Sequence, residues 1–185
     1  MAGPEPARKV TPLFTAEQIA ERVEALAREI AAACPPNLVI VAILRGSFMF
    51  AADLIRALHR QELKPEIDFM FLASYGASNR SSGQVKVLRD VETELQGREV
   101  VIVDDILDSG RTLAYAKTTL EEHGALRVLT CVLLDKEVPR ASPILPDFVG
   151  FRCPPVYVVG YGTDLGHRYR ELPFIGTPPR TEPRA

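Results

Sequence analysis

Residues 100–112 read Val-Val-Ile-Val-Asp-Asp-Ile-Leu-Asp-Ser-Gly-Arg-Thr, and the rest of the chain is organised around them. Four β-branched residues, Val100 to Val103, run straight into Asp104 and Asp105. An apolar run of this length and composition is a strand buried on both faces, as in a parallel sheet. Acids at the carboxyl end of such a strand stand where open α/β sheets bind ligands. A third acid, Asp108, precedes a small turn, Ser109-Gly110, and Arg111-Thr112 opens a helix. Backbone N–H groups, a hydroxyl and the positive helix end then face one spot, which suits a phosphate. Acids for hydroxyls or a metal, beside that cradle, point to a phosphorylated sugar.

A strand, a turn and a helix entry could produce Asp-Ser-Gly without any ligand. Three acids at one strand end would, however, repel each other without a cation or a polyol. Neither the Gly-x-x-x-x-Gly-Lys-Ser/Thr loop nor the Gly-x-Gly-x-x-Gly fingerprint is present. A length of 185 residues suits one full core with a small lobe added. A net charge of −2 gives no field favouring nucleic acid or an anionic membrane. No apolar segment approaches the roughly 20 residues that span a bilayer, and residues 1–12 lack the apolar stretch of a secretory signal. Cys34, Cys131 and Cys153 lack Cys-x-x-Cys spacing, so neither disulfides nor a zinc site is indicated, and a cytoplasmic location is expected.

Along the chain, residues 1–11 read as a flexible arm. A helix opens at Thr15 with Gln18 completing a capping box; Ile19, Val23, Leu26, Ala27 and Ile30 form its apolar face, and Cys34-Pro35-Pro36 ends it. Leu38–Ile43 is a strand, followed by Leu44-Arg45-Gly46-Ser47 and a helix through about His59. That turn offers a cation and free N–H groups to a second anion. Glu66–Leu72 is a strand leading to Ser74-Tyr75 and a small, polar loop; Val85–Leu88 is a short extended piece, and Glu99–Val103 is the central strand. A helix from Arg111 to His123 is closed by Gly124. Leu126–Leu134 is the next strand, ending at Asp135-Lys136. Phe148–Phe151 and Val156–Val159 are short strand candidates, and residues 177–185 are a tail. Strands alternating with helices indicate an α/β fold, a mostly parallel twisted sheet flanked by helices.

The pattern of hydrophobics, two acids, two hydrophobics, Asp, Ser/Thr, Gly resembles the phosphoribosyl pyrophosphate (PRPP) motif of type I phosphoribosyltransferases. Leu44-Arg45-Gly46-Ser47, Ser74-Tyr75, Lys136, and the segment from Tyr157-Val158-Val159-Gly160-Tyr161 through Asp164 to Arg170 narrow the likeness to the hypoxanthine-guanine branch. It covers roughly residues 12–176. It implies one domain with a hood lobe built from the two terminal segments, and purine salvage. The reaction would be transfer of phosphoribose from PRPP to hypoxanthine or guanine, giving IMP or GMP and pyrophosphate.

By that resemblance Asp108 is the general base, and Asp104 and Asp105 hold ribose and Mg²⁺. Asp108, Ser109, Gly110, Arg111 and Thr112 hold the 5′-phosphate. Lys136 donates to O6 of the purine, Tyr157 stacks on it, Val158 contacts it through the backbone, and Asp164 serves the second Mg²⁺ and the guanine edge. Arg45, Gly46 and Arg170 address pyrophosphate, and Ser74 and Tyr75 belong to a closing loop. The family often carries a cis peptide between the residues corresponding to Leu44 and Arg45, and relatives form homodimers or tetramers. Without the resemblance, Lys136 reads equally as an exposed lysine and Tyr157 as a core aromatic. An RNA-binding regulator of a pyrimidine operon and a xanthine- or hypoxanthine-preferring transferase are the alternatives. The absence of a Lys/Arg run speaks against the first.

Overall fold

The computed structural model describes residues 9–74 and 85–179. Its main sheet has six strands in the order β4-β3-β2-β5-β6-β7. These are β2 (Val39–Leu44), β3 (Glu66–Ser74), β4 (Val85–Arg89), β5 (Glu99–Leu107), β6 (Arg127–Lys136) and β7 (Phe148–Cys153). All neighbours run parallel except β4, which returns antiparallel to β3 along one edge. The chain adds β3 on one side of β2 and β5 on the other, so β2 and β5 form the switch point. At such a point the carboxyl ends of two adjacent strands part and leave a crevice.

Helices cover both faces, which is why the central strands are apolar throughout. Ile40 and Ala42 of β2 face a core shared with α1 (Ala16–Ala33) and α2 (Phe48–Arg60). Val39, Val41 and Ile43 alternate to the opposite core, where Leu113, Ala116 and Leu120 of α3 (Arg111–Glu122) pack. The α1 entry carries the expected capping box: Thr15 Oγ1 accepts from Gln18 N, and Gln18 Oε1 accepts from Thr15 N at 2.9 Å. Gly124, at φ 85°, follows α3 in the left-handed conformation that terminates a helix.

Three features depart from the sequence expectations. The central strand does not stop at Val103; its register with β6 continues through Asp104↔Val132 to Leu107↔Asp135, so both acids are strand residues. Val156–Val159 forms no ladder strand. Pro154 and Pro155 cannot donate to one, Val156 N turns back to Pro154 O at 2.7 Å, and Val159 alone bridges to Gly176. Thr11, placed in the N-terminal arm, opens β1 (Thr11–Phe14), and Thr177, placed in the tail, ends β8 (Ile175–Thr177); the two strands pair antiparallel, with Thr11 opposite Thr177. This small sheet brings the two terminal segments together beside the carboxyl ends of the main sheet. Phe14 fastens it to β7 by stacking on Phe151 with ring centroids 4.4 Å apart.

Candidate active site

A cavity of about 580 Å³ opens at the switch point. Its walls include Arg45 and Gly46 beyond β2, Phe71 and Leu72 of β3, Leu88 of β4, Asp105 and Asp108 of the central motif, and Lys136 at the end of β6. Tyr157, Val158, Thr163, Asp164, His167 and Arg170 close it from the segment preceding β8. Six separate stretches of the sequence therefore meet in one place.

Adjacent residues of an extended strand point to opposite faces. Asp105 accordingly lines the cavity, while Asp104 is 6% exposed and is not part of its wall. The two acids are unequal. Burial, then the neighbouring Asp105 carboxylate, pushes Asp104 well above the usual carboxylate range. Burial pushes Asp105 up as well, opposed by hydrogen bonds from Asp104 and the backbone and by the charge of Arg170. Asp105 N donates to Asp104 Oδ1 at 3.0 Å. The Asp105 carboxylate lies in a cradle at Gly46, where a Cβ would stand 1.9 Å from Oδ2. The peptide joining Leu44 and Arg45 is cis.

Asp108 and Lys136 stand side by side on the cavity wall, with Nζ 3.3 Å from Oδ2. The lysine side chain is only 13% exposed, so its ammonium is fixed in place rather than waving in solvent. After Asp108 the chain turns through Gly110 at φ 78°, and no side chain caps α3. Arg111 N has only a long contact, 3.5 Å, to Ser109 Oγ. The first N–H groups of α3 therefore lack an intrahelical or capping partner and can receive an anion. Ser109 to Thr112 lie outside the cavity wall proper, one step beyond Asp108.

The segment 157–170 is held by its own polar contacts. Tyr157 Oη donates to Asp164 O at 2.9 Å, and the tyrosine is 56% exposed, so it is no core aromatic. Val158 is buried. Asp164 receives Arg170 Nη2 at 2.6 Å and His167 N at 2.7 Å, and Arg170 also donates to Gly162 O. Arg45 lies over the Phe71 ring, 5.4 Å from its centroid. Among the described residues no three His, Cys, Asp or Glu side chains gather as a ready-made metal cage. Ser74 ends β3 opposite Val85, whereas Tyr75 and the loop through residue 84 lie outside the described residues.

The sequence reading overlooked the apolar wall of Phe71, Leu72 and Leu88, and it gave His167 no role. Leu72 sits near a strand's carboxyl end and could have been suspected on that rule. Nothing local marks Leu88, which reaches the site only because β4 folds back on β3.

A model of the phosphoribosyl transferase domain matches residues 10–165. The chain is 39% identical over 166 residues to hypoxanthine-guanine phosphoribosyltransferase of Dictyostelium discoideum, covering 89% of this chain and 92% of that one. To hypoxanthine phosphoribosyltransferase of Escherichia coli it is 42% identical over 140 residues, covering 76% and 77%. The solved hypoxanthine-guanine phosphoribosyltransferase of Bacillus anthracis superposes with a TM-score of 0.84 at 38% identity, covering 91% of this chain and 99% of that one. The sheet order, the cavity at its switch point and these similarities lead to one conclusion: the chain belongs to the phosphoribosyltransferase family, on its hypoxanthine-guanine branch.

Proposed function

We propose that this protein transfers the 5-phosphoribosyl group of PRPP to N9 of hypoxanthine or guanine, releasing pyrophosphate and forming IMP or GMP. The observation that carries this reading is the Lys136–Asp108 pair, 3.3 Å apart on the wall of one cavity. O6 and N7 of a purine share one edge. In the N7–H tautomer of a free 6-oxopurine that edge presents an acceptor beside a donor. An ammonium has only donors and a carboxylate only acceptors, so Lys136 takes O6 and Asp108 takes N7–H. The amino group of adenine would meet an ammonium with no acceptor between them.

The chemistry follows from this pose. The N9 lone pair forms the bond to C1 of the ribose while the C1–oxygen bond breaks, its electrons leaving with pyrophosphate. The purine ring gains positive charge as this happens, and the N7 proton passes to Asp108. Tyr157 offers its ring to the base, and the buried Val158 supplies backbone polar groups beside it. Asp164, fixed by Arg170 and the His167 N–H, meets the C2 side of guanine. Ser109 to Thr112 hold the 5′-phosphate, and Asp104 and Asp105 address the ribose hydroxyls. Arg45, Gly46 and Arg170 take the pyrophosphate, and closure of the loop carrying Ser74 and Tyr75 excludes water from the electron-poor ribose.

Mg²⁺ fits the residues present. It needs only one or two carboxylates beside waters and substrate oxygens, and a buried, mutually repelling acid pair is relieved by a cation. Asp104 and Asp105, with Asp164, would hold it, and when bound it neutralises charge on pyrophosphate. We place the enzyme in the cytoplasm as a dimer or tetramer; no helix among the described residues is long and apolar enough to cross a membrane.

The test is nucleotide formation from PRPP, Mg²⁺ and, separately, hypoxanthine, guanine, xanthine, adenine and uracil. Turnover with hypoxanthine or guanine is expected, and failure with every 6-oxopurine would sink the proposal. A uracil product would point to pyrimidine chemistry instead.

A further inference from the structure

Beside the cavity, and outside its wall, lies a buried ion cluster whose members play no part in the chemistry above. Asp135 is 0% exposed at the end of β6, one residue before Lys136. Its Oδ1 accepts from Arg140 Nη2 and its Oδ2 from Arg152 Nη1. The two guanidiniums differ in setting: the Arg140 side chain is 16% exposed, that of Arg152 is 68%. A carboxylate buried this completely survives only when paired.

Arg140 reaches further than its ion pair. Its Nη1 donates to Ile144 O at 3.0 Å, which folds residues 140–144 back on themselves. From that folded segment Ala141 N and Ser142 N both donate to Ser109 O, at 3.0 and 3.1 Å. The fit is tight, since a Cβ on Gly110 would stand 2.6 Å from Ser142 O and 3.0 Å from Ile144 Cγ2. These contacts close a ring. Asp135 is bonded to Lys136, Lys136 pairs with Asp108, Asp108 is bonded to Ser109, Ser109 is held by residues 141 and 142, and Arg140 returns to Asp135.

We propose that Arg140, anchored on Asp135, is a positioning residue: it clamps the 140–144 segment under the Ser109–Thr112 turn and so sets the spacing between the phosphate site and the Lys136 ammonium. The proposal rests on the reading of that turn as the 5′-phosphate site. Arg suits the role because its planar fork serves a carboxylate and a carbonyl at once, which a lysine cannot do in the same geometry. Preorganised donors of this kind lose effect quickly when their support shifts. A cluster that merely stabilised the fold would lower the melting temperature without favouring one ligand over another.

The test uses calorimetric binding of two probes to the ligand-free protein: ribose 5-phosphate, which requires the 109–112 turn, and pyrophosphate with Mg²⁺, which addresses the opposite side of the cavity. Arg140→Met is expected to weaken ribose 5-phosphate about tenfold and pyrophosphate less than threefold. Arg140→Lys keeps a cation on Asp135, so it folds, and should still weaken ribose 5-phosphate about threefold or more. Arg152→Met removes the other partner without touching residues 140–144 and should leave both affinities within twofold. Equal ribose 5-phosphate affinity in wild type and Arg140→Lys overturns the clamp, as does equal weakening of both probes. If the wild type binds no ribose 5-phosphate, the assignment of the turn has failed, and the clamp falls with it.

Discussion

Gly46→Ala isolates the placement of Asp105. Gly46 is not among the residues with positive φ, so alanine meets no backbone strain there. The three nearest atoms to an added Cβ all belong to the Asp105 carboxylate: Oδ2 at 1.9 Å, Cγ at 2.4 Å and Oδ1 at 2.8 Å. To reach ordinary contact near 3.4 Å the carboxylate must retreat by about 1.5 Å, which takes it out of its rotamer. Displacing a group that contacts substrate by about 1 Å costs on the order of 10²-fold in rate, or roughly 2.7 kcal/mol. The stability change is smaller. An off-rotamer side chain costs about 0.5–1.5 kcal/mol, and the stiffer unfolded chain returns about 0.4–1 kcal/mol. The melting temperature should therefore move by no more than about 4 °C. Initial rates against PRPP concentration, with a parallel melting curve, measure both. A kcat/KM within threefold of wild type would refute the assignment of Asp105. A fall in melting temperature beyond about 10 °C would refute the claim that only a side chain yields.

Asp108→Asn should bind PRPP within a few-fold of wild type and lose about 10²- to 10⁴-fold in kcat, measured by calorimetry and steady-state rates; near-native kcat would remove Asp108 from the role of base. Its exposed contact with Lys136 is worth little to the fold, so the melting temperature should hardly change. Gly162→Ala contrasts with the change at Gly46: at φ 101° and with a Cβ 2.2 Å from Gly46 O, the clash is with backbone. It should cost at least about 2 kcal/mol in chemical denaturation. For the acid pair, burial raises both carboxyls in the folded state, and the neighbouring Asp105 carboxylate raises Asp104 further. The unfolded chain then binds fewer protons above its ordinary carboxylate value of 3.8, so these groups make stability fall as pH rises from there through the raised values. Asp104→Asn keeps the acceptor for Asp105 N and removes one charge. It should raise the melting temperature of the ligand-free protein by a few degrees at pH 7, a gain that shrinks toward pH 4; an unchanged or lowered value at pH 7 would contradict the repulsion.

Local physics made much of this molecule legible. The Thr15–Gln18 capping box, the break at Cys34-Pro35-Pro36 and the left-handed Gly124 depend on neighbours within a few residues, and each is where the sequence places it. The run from Val100 to Thr112 spells a buried strand, an acid pair and a helix entry in order. What pairing decides was not legible. That Asp104 and Asp105 remain inside a strand depends on the register with β6, and the β1–β8 pairing joins Thr11 to Thr177, from opposite ends of the sequence, by way of the fold. The contact of Gly46 with Asp105, the Phe71 and Leu88 wall, and the two arginines on Asp135 likewise exist only once the strand order brings them together. His167 is the instructive miss: the glycine-rich segment has no periodicity, so nothing in sequence showed which of its side chains face the cavity.

The central claim, that Lys136 and Asp108 read the O6–N7 edge of a purine, is tested most directly by the ratio of kcat/KM for hypoxanthine to that for adenine, in wild type and in Lys136→Met. A site built to pair one edge rejects an unmatched analogue by about 10⁴-fold or more, and that is the ratio expected of the wild type. In Lys136→Met the hypoxanthine rate should fall while the adenine rate does not, collapsing the ratio by about 10²-fold or more. A ratio unchanged by loss of the ammonium would contradict the claim.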